Sequence, residues 1–69
     1  MTLRIKERRK ALNIKQGDLA KKLNVNQTVL SNWEVGVSLP RADMLPLIAS
    51  ALKCSIEELY PEKQYEIAQ

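Results

Sequence analysis

The chain has 69 residues, 45% of them hydrophobic and 28% charged, with a formal net charge of +3. That is one small globular domain, which buries about 60% of its unfolded surface and is stable by roughly 3–5 kcal/mol. With no histidine and Cys54 as the one cysteine, an internal disulfide, a protein-only zinc site and a general base near neutrality are all excluded.

No apolar run approaches the roughly 18 residues that cross a bilayer, and residues 1–10 lack the apolar segment of a signal peptide. The expectation is a cytoplasmic protein without membrane contact, cofactor, metal or catalytic role. The pattern is helical throughout, because alternation of the strand type is absent. A first helix is predicted from Thr2 as N-cap to Leu12, with Ile5, Arg9 and Leu12 on one face and Asn13 as its left-handed terminator.

A second helix is predicted over about Gln16–Leu23, with Leu19, Ala20 and Leu23 facing inward and Lys21 and Lys22 outward. Asn24 closes it, Val25 is the apolar residue of the turn, and Asn26 is an N-cap for the third helix. That third helix covers about Gln27–Val35, with Val29, Leu30 and Trp33 inward and Gly36 as terminator. Trp33 reads as core, and Cys54 as a small packed hydrophobe. After the loop Val37–Pro40, a fourth helix is predicted over roughly Asp43–Leu52, carrying Leu45, Ile48, Ala49 and Leu52. Pro46 belongs in its first turn. Ser55-Ile56-Glu57-Glu58 is a capping box that predicts a short fifth helix ending near Tyr60-Pro61. The expected organisation is one domain over residues 1–60 followed by a polar tail, residues 61–69.

Charge is unevenly spread. Residues 1–22 carry eight basic groups against Glu7 and Asp18, whereas residues 23–69 carry three against six acids. The asymmetry points to a face that meets a polyanion, or to an ordinary solvated basic helix.

The informative stretch is Gln16–Gly36. A turn as short as Asn24-Val25-Asn26 forbids antiparallel packing, so the two helices cross steeply in a helix-turn-helix. The outward positions of the third helix are Gln27, Thr28, Ser31 and Asn32, all neutral amides and hydroxyls. Surface helices usually carry charge there, and these are the groups that bond adenine or touch a thymine methyl. The alternative is a polar face without a duty. Gln16 and the amides that open the second helix suit a phosphate. Lys15 cannot accept a cap hydrogen bond, which a nearby phosphate would offset; a simple local imperfection is the other reading. Ser38 and Arg41 are further phosphate candidates. Arg9 and Glu34 read as a partly buried ion pair joining the first helix to the third, the alternative being a direct phosphate contact from Arg9.

These residues resemble the Cro/repressor-type helix-turn-helix domains, the xenobiotic-response-element family. The resemblance covers about residues 3–60. It rests on Ile5-Lys6-Glu7-Arg8-Arg9, Lys15-Gln16-Gly17-Asp18-Leu19-Ala20, the run Val25–Gly36, Leu39-Pro40, Met44-Leu45-Pro46, Ile48-Ala49, Leu52 and Ser55-Ile56-Glu57-Glu58-Leu59. It implies an all-α, compact five-helix lambda-repressor-like domain that binds operator DNA as a symmetric dimer. It also implies phosphate binding at Gln16, base reading at Gln27, Thr28 and Asn32, and the ion pair Arg9–Glu34. The sequence departs from that pattern at Lys15, which replaces the usual cap. It departs again at Val37, where a basic residue is common, and at Lys53, where Gly or Asn is usual and a bend is strained.

The expected function is therefore a sequence-specific DNA-binding regulator, a repressor on a palindromic double-stranded operator, with Gln27 leading. A homodimer contact is expected from apolar residues of the C-terminal half or from Tyr60, Tyr65 and Ile67. The alternative is an antitoxin-like module that binds a protein partner with the same fold. The length fits a complete Cro-like protein or the head of a longer repressor.

Overall fold

The computed structural model describes residues 2–61. Its helices are α1 (Ile5–Ala11), α2 (Gln16–Leu23), α3 (Gln27–Val35) and α4 (Leu45–Ala51), with single 3-10 turns at Ala42–Met44 and Glu57–Leu59. No strand forms among the described residues.

Three of the four helices close in the same way. Asn13, Asn24 and Lys53 take left-handed conformations, with φ of 58°, 59° and 55°. After α1, Asn13 N–H donates to the Lys10 carbonyl and Ile14 N–H to that of Arg9. After α2, Asn24 and Val25 bond Lys21 and Ala20; after α4, Lys53 and Cys54 bond Ser50 and Ala49. This paired closure satisfies carbonyls that a helix end leaves open. Gly36, with φ 88°, ends α3, and both it and Val37 donate to the Asn32 carbonyl.

The core draws one or more fully buried side chains from nearly every element: Ile5, Leu19, Leu30, Ile48, Leu52 and Leu59. Each such residue stabilises the fold by about 1.5–3 kcal/mol relative to exposure. Trp33 is buried with them, and Cys54 packs half-buried at the edge of the cluster. The two ends of the domain are tied together, because Arg4 N–H donates to the Leu59 carbonyl at 2.6 Å. Outside α1, Arg4 also pairs with Glu7 at 3.0 Å; that contact pulls the Glu7 carboxyl below its usual range and raises Arg4.

Four sequence expectations change. The helix count is four rather than five: the capping box forms, with Ser55 N–H donating to Glu58 Oε1 at 2.8 Å and Glu58 N–H to Ser55 Oγ at 3.2 Å. It opens only one 3-10 turn, because Pro61 drives Tyr60 into extended backbone (φ −84°, ψ 139°) and stops propagation. The first of those hydrogen bonds holds the Glu58 carboxyl below the usual range. Helix α1 starts at Ile5 rather than after Thr2, because Arg4 leaves the helical region (φ −86°, ψ 37°) as its N–H ties to the Leu59 carbonyl, and so takes the N-cap place itself. The segment before Pro46 forms a 3-10 turn because proline has no N–H to donate to an α-helical partner. Val29 is 36% exposed instead of inward; the buried stripe of α3 is Leu30, Trp33 and Glu34, and Val29 lies on its flank. Of the residues named for a dimer contact, Tyr60 packs half-buried against the core, while Tyr65 and Ile67 lie outside the described residues.

Candidate nucleic-acid interface

Helices α2 and α3 are set against each other by the turn at Asn24–Asn26. Leu19, Ala20 and Leu23 bury one face of α2 while Leu30 and Trp33 bury one face of α3. What remains outside is the polar side of α3 and the beginning of α2. Gln16, Gln27, Thr28 and Ser31 line a single open depression there. Gln27 and Thr28 are exposed, and Gln16, Ser31 and Asn32 are half-buried.

The depression is anchored to the core by a chain of four side chains. Arg9 Nε donates to Glu34 Oε2 at 2.7 Å, and its Nη2 donates to Glu34 Oε1 at 3.2 Å. Arg9 Nη1 adds a bond to the Ile14 carbonyl at 2.9 Å. The pair is deeply buried, with the Glu34 side chain 2% exposed, and its bidentate geometry is what compensates desolvation of two charges. Glu34 Oε1 then accepts Gln16 Nε2 at 3.0 Å, and Gln16 Oε1 accepts Gln27 Nε2 at 2.9 Å.

Polarity runs one way along this chain. A carboxylate can only accept, so Gln16 must turn its amide nitrogen to Glu34 and its oxygen to Gln27. Gln27 in turn must offer its nitrogen to Gln16. One N–H and the Oε1 of Gln27 are left for a ligand, side by side on a carboxamide whose orientation is set from the core. Gly17 sits beside it: a Cβ there would touch Gln27 Oε1 at 3.5 Å, an ordinary contact.

The sequence named Arg9 with Glu34, and Gln16 and Gln27 separately, but not the two hydrogen bonds that join them. The missed signal was in the inventory of Glu34: an arginine fork leaves carboxylate lone pairs over, and Gln16 opens the helix that packs on α3. The phosphate candidates are less gathered. Lys15 is exposed in extended backbone (φ −76°, ψ 151°) before α2 and makes no side-chain cap bond. Asn26 likewise has the extended backbone of an N-cap without a side-chain cap bond. Ser38 and Arg41 lie exposed in the loop after α3, outside the depression, with Arg41 Nε 4.0 Å from Asp43. Val35, the last residue of α3, was not singled out and is 59% exposed.

Comparisons with known proteins agree with one another. A helix-turn-helix family pattern matches residues 5–59. The chain is 38% identical over 56 residues to Repressor protein C2 of Salmonella phage P22, a match covering 81% of this chain and 26% of that protein. It is 39% identical over 61 residues to the cryptic phage CTXphi transcriptional repressor RstR of Vibrio cholerae, covering 83% and 54%. Among solved structures, the P22 c2 repressor protein in complex with synthetic operator 9T gives a TM-score of 0.77 at 36% identity. That likeness covers 84% of this chain and 88% of that one. The chain therefore spans from about a quarter to about half of the length of the two repressors it matches.

Proposed function

The chain belongs to the helix-turn-helix family, and from that premise we propose that it is a transcriptional repressor that reads double-stranded operator DNA with α3 in the major groove. The observation that carries this reading is the anchored carboxamide of Gln27. A remaining N–H donor beside an acceptor oxygen is complementary to adenine, which presents N7 and its N6 amino group at that edge. Thr28, Ser31 and Asn32 complete the reading face, and Lys15, Gln16, Ser38 and Arg41 meet the flanking phosphates. Gln16 has one amide hydrogen left for that purpose after serving Glu34. The reading is of a DNA-binding regulator, not an enzyme, working in the cytoplasm.

One recognition helix covers only a few base pairs, so a useful specificity ratio calls for two copies on a palindrome. The test is selection of binding sites from a random duplex pool, followed by anisotropy titrations. A palindrome should enrich, and Gln27→Ala should lose about 1–3 kcal/mol on it with little change on random duplex. Equal losses on both duplexes would remove Gln27 from base reading. Enrichment of no motif at all would overturn the repressor reading.

A further inference from the structure

Successive residues of an α-helix are about 100° apart, so positions seven apart differ by about 700°, within about 20° of two full turns. Thr28 and Val35 are such a pair. Ser31, four residues before Val35, falls about 40° to one side on the same count. Val35 therefore continues the line of side chains that borders the depression formed by Gln16, Gln27, Thr28 and Ser31. It is 59% exposed, and its place is fixed rather than frayed. Gly36 and Val37 both donate to the Asn32 carbonyl, at 3.1 and 3.0 Å, closing the last turn over it.

Nothing in the fold asks for a valine there. Its side chain is outside the buried cluster, and a β-branched residue is a poorer helix former than alanine or lysine at an exposed position. The segment it opens, Val35-Gly36-Val37-Ser38-Leu39-Pro40, carries no charge. An apolar side chain on a line of base-reading groups has one natural partner in the major groove. Thymine alone among the four bases presents a methyl group there.

The geometry points to Val35 as a specificity-determining residue that packs on a thymine 5-methyl. This rests on the reading of α3 as the recognition helix, and deepens it. Thr28 and Val35 are about 10.5 Å apart along the helix axis, too far for one base pair to meet both. The half-site thus carries a required thymine at a base pair other than the one Thr28 faces, read by methyl contact rather than by a hydrogen bond.

The test uses the duplex enriched from the random pool, with each thymine replaced in turn by deoxyuracil, which keeps base pairing and deletes only the methyl. The intact protein should lose roughly three- to tenfold in affinity at one position per half-site, the scale of one buried methyl contact. Val35→Ala should bind the thymine duplex about that much more weakly, and should be indifferent to uracil at that position while still sensing changes at the Gln27 position. Its circular dichroism melt and its sedimentation should match the unaltered protein. A Val35→Ala protein as sensitive to every methyl as the unaltered one would overturn the assignment. So would equal weakening on all duplexes, or a changed oligomeric state, which would make Val35 a protein contact instead. If Gln27→Ala weakens selected and random duplexes equally, it is the base-reading function itself that fails; if Gln27→Ala weakens only the selected duplex while Val35→Ala keeps its sensitivity to every methyl, the function stands without this reader.

Discussion

Glu34 has two duties, and they can be separated experimentally. Its carboxylate neutralises Arg9 in the interior and also holds the Gln16–Gln27 pair in position. Removing one partner from a buried ion pair leaves the other charge uncompensated and costs about 3–5 kcal/mol. That is comparable to the whole stability expected of a domain this small, so Glu34→Ala should be largely unfolded in a urea titration followed by tryptophan fluorescence of Trp33. Replacing both charges with apolar side chains of similar size, Arg9→Met with Glu34→Leu, should restore most of the loss. The folded double variant no longer has an acceptor for Gln16. Its discrimination between selected and random duplex should fall even though Gln27, Thr28, Ser31 and Asn32 are unchanged. Recovery of stability together with full discrimination would show that Gln27 needs no anchor.

At the scale of elements, the C-terminal ends of the first three helices were the most legible part of the sequence. Asn13, Asn24 and Gly36 stand where left-handed residues are needed, and each is a residue type that tolerates that conformation. Lys53 is the exception: it has the same conformation, with φ 55°, and a side chain that gains nothing from it. Arg8 Nη2 bonds the carbonyls of Leu52 and Lys53 at 3.4 and 3.3 Å, and these backbone contacts survive any change of side chain at 53. Lys53→Gly should therefore stabilise by about 0.5–1 kcal/mol, the relief of strain exceeding the added chain entropy. In a domain of this size that raises the melting temperature by roughly 2–8 °C. An unchanged or lower melting temperature would mean that the lysine is not strained. What the sequence hid was whatever depended on neighbours brought close by the fold. Val29 fits a helical stripe in the sequence, yet Glu34 takes the inward place through its pairing with Arg9. The capping box was legible too, but its helix was cut to one turn by the proline that follows, a competition between two local signals that only the backbone resolves. The joining of Gln16 to Gln27 depends on how α2 crosses α3, which no spacing along the chain records.

At the scale of the whole molecule, the fold redistributes the charge asymmetry of the sequence. Of the eight basic groups in residues 1–22, Arg9 is consumed by Glu34, Arg8 is turned to the end of α4, and Arg4 is paired with Glu7. The exposed cations of that region are Lys6, Lys10, Lys15, Lys21 and Lys22. Only Lys15 adjoins the depression, immediately before Gln16. Phosphate neutralisation and base reading should then separate cleanly. Each phosphate charge neutralised contributes about −0.9 to the slope of log K against log salt. Lys15→Gln should make that slope shallower by about 0.9 per protomer and weaken selected and random duplexes alike. Gln27→Ala should leave the slope unchanged and weaken only the selected one. Because Lys15 makes no side-chain cap bond, its replacement carries no cost to α2 that would confuse the comparison. A slope unmoved by Lys15→Gln would place the basic contact elsewhere among the exposed lysines. Attraction to the duplex would then come from the general positive charge of this half of the chain, with only the orientation on it set by Gln16 and Gln27.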